Sequence, residues 1–211
     1  MQTHPIRIAF FLVCFLANPG FAAQFIIPHE VGGFVLGESI HKFKDQVNLS
    51  SRMKVRYQEF LSEVEINPLK HYKSGLISVG NCSDPGKIVQ IKLKYADFSK
   101  EFYQELLKRF KARFGLPRES KDDPLRLFNV SIWHFFDENQ NQIDLILQHN
   151  IQAETETEKR DNVVKMILVT QMEKEQGCLL EKKRRTDPAK AQDESRKMPS
   201  LIIDWDLLIP K

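Results

Sequence analysis

Two cysteines that lie nearly a hundred residues apart, Cys82 and Cys178, place the strongest constraint on how this chain can fold. The third cysteine, Cys14, lies in an N-terminal segment that we expect to be removed. In an oxidising compartment an isolated pair of cysteines tends to form a disulfide. A reactive thiol is the alternative, but it usually needs a CxxC partner, a nearby cation or a helix N-terminus, and the sequence has no CxxC. We therefore predict a Cys82–Cys178 disulfide that ties the end of a strand to a C-terminal segment.

The first 22 residues have the layout of a secretory signal peptide. Arg7 precedes an apolar run over residues 8–17, and small residues follow at Gly20 and Ala22. The run is about ten residues long, whereas a membrane-spanning helix needs about twenty. A buried N-terminal helix is the alternative, but no capping residue or amphipathic face supports it. We expect residues 1–22 to be removed, which leaves a bacterial periplasmic or secreted protein without a transmembrane segment.

The charge balance argues against a dedicated nucleic-acid partner. The formal net charge is +3, and it falls to +2 once Arg7 is removed. Nucleic-acid binders concentrate far more positive charge than this. The remaining length suits one domain with a core of its own. We expect a single α+β domain over 23–180, a charged disordered linker over 181–199 that is poor in apolar residues, and an amphipathic C-terminal segment over 200–211.

Hydrophobic periodicity predicts two helices, each followed by strands. The clearest helix spans residues 99–114, with Ser99 as its N-cap and Gly115 as its stop signal. A shorter helix begins after Ser39. About four strands follow the first helix and three follow the second. The pattern favours an α+β fold with a mostly antiparallel sheet, helices packed on one face, and two helix-plus-strands halves. The apolar face of the clearest helix consists of Phe102, Leu106, Phe110 and Phe114.

A hairpin with apolar residues on both faces gives the candidate binding surface. If its tip lies at residues 139–140, Phe136 faces Ile143 across the pair. A hairpin that is apolar on both faces is covered twice, or it is covered once and used for binding. The alternative is therefore that a helix covers the second face as ordinary core. The second face, and with it the candidate binding surface, consists of Trp133, Phe135 and Ile146.

Motifs for catalysis or metal binding are missing from the sequence. The histidines show no HExxH spacing, and there is no Gly-rich phosphate loop. Asp137 opens a partial EF-hand pattern, but Gln142 stands where that loop needs glycine, and a polar hairpin turn explains the residues. We therefore predict no catalytic residue, no metal site and no cofactor. The alternative is an enzyme with a dispersed active site, which a pocket lined by His134, His149 or clustered carboxylates would favour.

The C-terminal segment alternates apolar and polar residues, as a half-buried strand does. Asp204 and Asp206 fall on the side opposite to its large apolar residues. A connection of about thirteen residues precedes it and reaches roughly 40 Å when extended. The segment can dock on its own sheet or extend the sheet of a partner. The candidate docking residues are Leu201, Ile203, Trp205, Leu207 and Ile209.

Three motifs give this chain a family resemblance. They are the start "GGFVLGESIHKFKDQV", the helix ending "RFGLP" and the hairpin with Trp133. The arrangement, over about residues 31–170, resembles bacterial secreted proteins and is similar to the fold shared by β-lactamase inhibitory protein and the outer-membrane assembly lipoprotein BamE. The resemblance implies a protein that binds a partner, and we expect another envelope protein in that role. No functional residue carries over. Membrane anchoring is not implied, because the lipid-attachment cysteine of BamE has no counterpart here.

Overall fold

The computed structural model describes residues 26–122, 128–150 and 161–186. The predicted signal peptide and the amphipathic C-terminal segment lie outside these residues. The described part contains ten strands, one 3-10 helix and two α-helices. The first half of the chain holds β1 (Glu30–Val31), β2 (Phe34–Val35), the 3-10 helix (Ile40–Phe43), β3 (Val47–Val55), β4 (Gln58–Ile66), β5 (Tyr72–Gly80) and β6 (Ile88–Tyr95). The second half holds α1 (Lys100–Phe114), β7 (Glu119–Asp122), β8 (Phe128–Phe136), β9 (Gln142–Asn150), β10 (Asp161–Leu168) and α2 (Val169–Thr186).

Eight of the strands form one antiparallel sheet in the order β3-β4-β5-β6-β10-β9-β8-β7. The 3-10 helix precedes the four strands of the first half, and α1 precedes the four strands of the second half. The last strands of the halves, β6 and β10, pair at the centre, where Leu93 lies opposite Val164. This arrangement confirms the predicted α+β class and antiparallel sheet. The second half has one strand more than predicted, since the four-residue β7 was missed.

The main core lies between α1 and one face of the sheet. Ser99 caps α1 by accepting a hydrogen bond from the Phe102 amide at 3.2 Å, and Gly115 ends the helix at a φ of 80°. The apolar residues that recur along α1 face the sheet, and Tyr103 among them is only 3% exposed. On the sheet side, strand positions that alternate with outward residues supply the partners. Those partners include Ile77, Ile91, Leu93, Leu145 and Met166.

The two helices that were predicted to share one face, the 3-10 helix and α1, both pack against the main core, whereas α2 lies on the other face of the sheet. Met172 and Leu179 of α2 pack with Leu61 and Val89, in a cluster separate from the main core. Alternation along β4 turns Leu61 away from Val64 and the main core, and a register shift in the β5–β6 pairing turns Val89 to the same side as Leu61. The sequence did not show this because the residues that α2 packs on come from β4 and β6, whose positions in the sheet only the fold supplies.

The second helix covers only one end of its face. It begins beside β9, where Thr170 accepts a hydrogen bond from the Gln142 amide at 2.8 Å. It ends over the start of β4, where the Lys183 ammonium lies 3.3 Å from the Glu59 carboxylate. Residues 181–186 belong to this helix, so the predicted linker began six residues too early, and 187–199 lie outside the described residues. Neither α-helix of the described part is long and apolar enough to cross a membrane.

Candidate functional site

The turn between β8 and β9 sets a register one residue away from the predicted one. Phe136 lies opposite Gln142, and Phe135 lies opposite Ile143. The Asp137 amide donates to the Asn141 carbonyl at 3.0 Å, which closes a three-residue loop in which Gln140 has a φ of 59°. Such loops with one left-handed residue are a common hairpin type. The prediction placed a two-residue tip at 139–140 and was wrong for that reason.

The candidate binding surface of Trp133, Phe135 and Ile146 is not a single surface. Trp133 is 2% exposed and donates from its indole nitrogen to the Gly115 carbonyl at 2.9 Å. The Phe135 ring packs on the Phe114 ring of α1 at 5.8 Å. Ile146 lies on the opposite face of the sheet and is 4% exposed. The corrected register therefore separates the three residues, and α1 covers the two aromatic ones as core.

The two hairpin histidines occupy different environments. His149 is buried, and its Nδ1 lies 2.6 Å from the Asn162 side-chain oxygen. His134 is partly exposed, with Nδ1 2.7 Å from the Asp144 carboxylate and Nε2 3.6 Å from the Glu119 carboxylate. Within the described residues, no group of three or more His, Cys, Asp or Glu side chains is placed to hold a metal ion.

The structure contains the predicted disulfide between Cys82 and Cys178, with their Cα atoms 5.8 Å apart. It adds a partner that the sequence did not reveal. The buried carboxylate of Glu175 accepts hydrogen bonds from four successive amides, at 3.1, 2.6, 3.0 and 2.6 Å for residues 81–84. A Cβ at Gly80 would lie 2.4 Å from this carboxylate, so the close approach requires glycine. The arrangement is a backbone anion nest that the chain fills with its own side chain.

A groove of about 680 Å³ opens on the sheet face that α2 covers only in part. Its walls come from β4, β5, β6 and the connection between β4 and β5. In β6, residues 91, 93 and 95 point into the main core, so Lys92 and Lys94 point to the opposite face. Leu76 lies opposite Lys92, and Ser74 lies opposite Lys94. Apolar lining comes from Pro68 and Leu76, because the side chains of Ile66, Leu69 and Tyr72 pack against the main core. The charged residues of the lining are Lys70, Lys73, Lys92, Lys94 and Glu65.

The charges around the groove are only partly balanced. Lys94 has a counterion, since its ammonium lies 2.6 Å from the Asp161 carboxylate. Lys92 instead lies directly opposite Lys165 of β10. Burial, and then the charge of Lys92, lowers the pKa of Lys165 below its ordinary value. Among the described residues, no carboxylate forms an ion pair with either lysine. Like charges directly opposite each other destabilise a sheet, so this region favours an anionic neighbour.

Neither His134 nor His149 lines the groove. The groove was missed at the level of sequence because its lysines come from two strands and a connection whose pairing only the fold supplies. The alternating "IKLKY" of β6 was the one local signal. The resemblance to β-lactamase inhibitory protein and BamE stays a prediction. The chain matches no protein-family model, no curated protein and no solved structure.

Proposed function

We propose that this protein is an exported binding protein of the bacterial envelope, and that its groove receives an acidic and apolar segment of an envelope protein. The observation that carries the proposal is the groove itself, where the apolar residues Pro68 and Leu76 lie beside Lys73 and Lys92, neither of which forms an ion pair with a described residue. Export is supported by the signal-peptide layout of residues 1–22 and by the Cys82–Cys178 disulfide.

The chemistry of the groove determines the kind of ligand. Its volume of about 680 Å³ suits a few side chains of a partner. Pro68 and Leu76 offer apolar contact, while Lys70 and Lys73 are exposed at its margin. Exposed charges of one sign raise the association rate and exclude partners of the same sign. A segment that carries both large apolar residues and carboxylates therefore satisfies the lining and the margin together.

Capture from an envelope extract tests the proposal with two matched variants. Lys73→Glu/Lys92→Glu reverses two charges at the groove. Lys108→Glu/Lys111→Glu makes the same change on the exposed side of α1, away from the groove. We expect wild type and the α1 variant to capture the same envelope protein, identified by mass spectrometry, and the groove variant to lose it. Capture of the same proteins by all three, with equal melting temperatures, would show that the groove is not the binding site.

A further inference from the structure

The connection that follows α2 leaves the sheet within reach of the groove. The helix ends near Glu59 at the start of β4, whereas the groove begins at Glu65 at the other end of that strand. Six residues of strand span about 20 Å. Residues 187–199 reach roughly 40 Å when extended. The amphipathic segment 200–211 can therefore arrive at the groove of its own molecule without stretching the connection.

The segment and the groove have complementary chemistry. The acids of residues 200–211 are Asp204 and Asp206, which alternate with large apolar residues. In an extended chain the apolar side chains project to one side and these two carboxylates to the other. A groove with an apolar lining and lysines along its margin matches that division, because a lysine lays its stem on apolar surface and keeps its charge at the edge. Lys73 and Lys92 have no described counterion there.

We infer that residues 200–211 occupy the groove of their own molecule, with Trp205 on the apolar lining and Asp204 and Asp206 beside Lys73 and Lys92. This inference concerns the groove of the proposed function and adds a regulatory step to it. An acidic segment of an envelope protein binds only by displacing the chain's own segment. Self-occupancy weakens the apparent affinity for a competitor, because only molecules with an empty groove can bind it. The apparent Kd equals the intrinsic Kd divided by the fraction of molecules whose groove is empty.

Zero-length carbodiimide cross-linking tests the occupant directly. An equal mixture of ¹⁴N- and ¹⁵N-labelled full-length protein is treated at low concentration, digested and analysed by mass spectrometry. The Lys94–Asp161 pair, 2.6 Å apart, is the internal positive control. We expect links from Asp204 or Asp206 to Lys73 or Lys92 in which both peptides carry the same isotope. Links between different isotopes would assign the groove to a second copy. The control link without any link from the two aspartates to groove lysines would overturn the inference.

A charge exchange gives an independent readout. The quenching of Trp205 by acrylamide is obtained by subtracting the signal of a Trp205→Phe protein, which retains only Trp133. Lys73→Glu/Lys92→Glu is expected to raise this quenching severalfold, and Lys108→Glu/Lys111→Glu is expected to leave it unchanged. Adding Asp204→Lys/Asp206→Lys to the groove variant should restore the low value. Strong quenching in wild type, or no restoration by the exchanged charges, contradicts the inference.

Neither measurement contains an envelope protein. Failure of the proposed function, seen as lost specificity of capture, is therefore distinguishable from failure of self-occupancy, seen as missing cross-links.

Discussion

At the scale of single residues, the side chain with the most demanding environment is Glu175. It is 0% exposed, and the amides of the loop at 81–84 supply four of the hydrogen bonds that replace its contacts with water. Gln171 adds a side-chain hydrogen bond at 3.3 Å. The carboxylate also stabilises the loop, because it accepts the hydrogen bonds of four backbone amides that would otherwise need water. The loop and α2 therefore form a single unit in which each element satisfies the polar groups of the other.

We expect Glu175→Gln to lower the free energy of unfolding by about 2–4 kcal/mol. Hydrogen bonds to a charged group contribute about 1.5–3 kcal/mol each, and the amide of glutamine would point a donor at backbone donors. Urea unfolding of the oxidised protein measures the change. Glu173→Gln on the exposed side of the same helix is the control and should stay within about 0.5 kcal/mol of wild type. Equal stabilities for both variants would mean that the loop does not depend on this carboxylate.

Two glycines with open surroundings should respond in opposite ways to alanine. A Cβ at Gly177 or at Gly86 would meet no atom within 4 Å, but Gly86 has a φ of 84° and Gly177 lies inside α2. Alanine is the better helix former, so Gly177→Ala should stabilise the protein by about 0.4–1 kcal/mol. Gly86→Ala should destabilise it by about 1 kcal/mol, because the left-handed region disfavours a Cβ. Melting temperatures of the two variants and of wild type measure these changes: that of Gly177→Ala should be higher than wild type, and that of Gly86→Ala lower.

At this scale, the sequence predicts those residues whose structural role depends only on their neighbours in the chain. Ser99 and Gly115 follow helix-capping rules that involve only their neighbours, and both were predicted correctly. Glu175 could not be found in this way, since its donors lie more than ninety residues earlier in the chain. Its three-residue spacing from Cys178 puts both on one side of α2, but the spacing acquires meaning only once the loop is in place.

At the scale of elements, the pairing of β6 with β10 places two lysines where their positive charges repel each other. Lys92 and Lys165 lie directly opposite each other, and Lys94 with its partner Asp161 is the nearest balanced pair along the same face. On its other side Lys165 lies directly opposite the apolar Ile146 of β9, with Asp144 and Gln148 as diagonal neighbours on the same face. A charged Lys165 therefore costs the folded state free energy that the unfolded chain does not incur.

We expect Lys165→Met to stabilise the protein at neutral pH by up to about 1 kcal/mol, the scale of a cross-strand pair. The lowered pKa of Lys165 means that the unfolded chain binds this proton more tightly than the folded protein does. The contribution of Lys165 to wild-type stability should therefore rise as the pH increases through the folded pKa toward the ordinary value of 10.5, and then level off. The advantage of the variant should shrink over the same interval. Urea unfolding at several pH values measures both, and a constant advantage would contradict the assignment.

The register of the β8–β9 hairpin shows why element boundaries are easier to predict than pairings. The alternation of apolar residues located both strands. Their pairing depends on the turn, where Gln140 adds a third loop residue with a left-handed backbone conformation. The sequence does not signal this conformation, because it places no glycine at that position. A slip of one residue exchanged the faces of a whole strand, which is why Trp133 and Ile146 were placed together.

At the scale of the whole molecule, the disulfide connects the loop after β5 to the helix that ends the described chain. Its cysteines are 96 residues apart, and a closed loop of that size removes unfolded-state entropy worth up to about 4.7 kcal/mol. We expect Cys82→Ala/Cys178→Ala to lose a large part of this stability while keeping the sheet intact by far-UV circular dichroism. The oxidised protein should show no free thiol at either position when denatured. Two titratable thiols there would rule out the bond in solution.

The strand order also dictates how the chain must be completed. The first four-stranded meander ends in β6, a strand that lies at the very centre of the finished sheet. Its partner β10 is the last of the described strands to emerge, so until then the residues from Ile88 to Tyr95 present an unpaired edge with apolar side chains on the face of the future core. Such an edge invites pairing with other chains. Because a chain is synthesised from its N-terminus, this edge of β6 stays open to other chains until the C-terminal half of its own molecule follows.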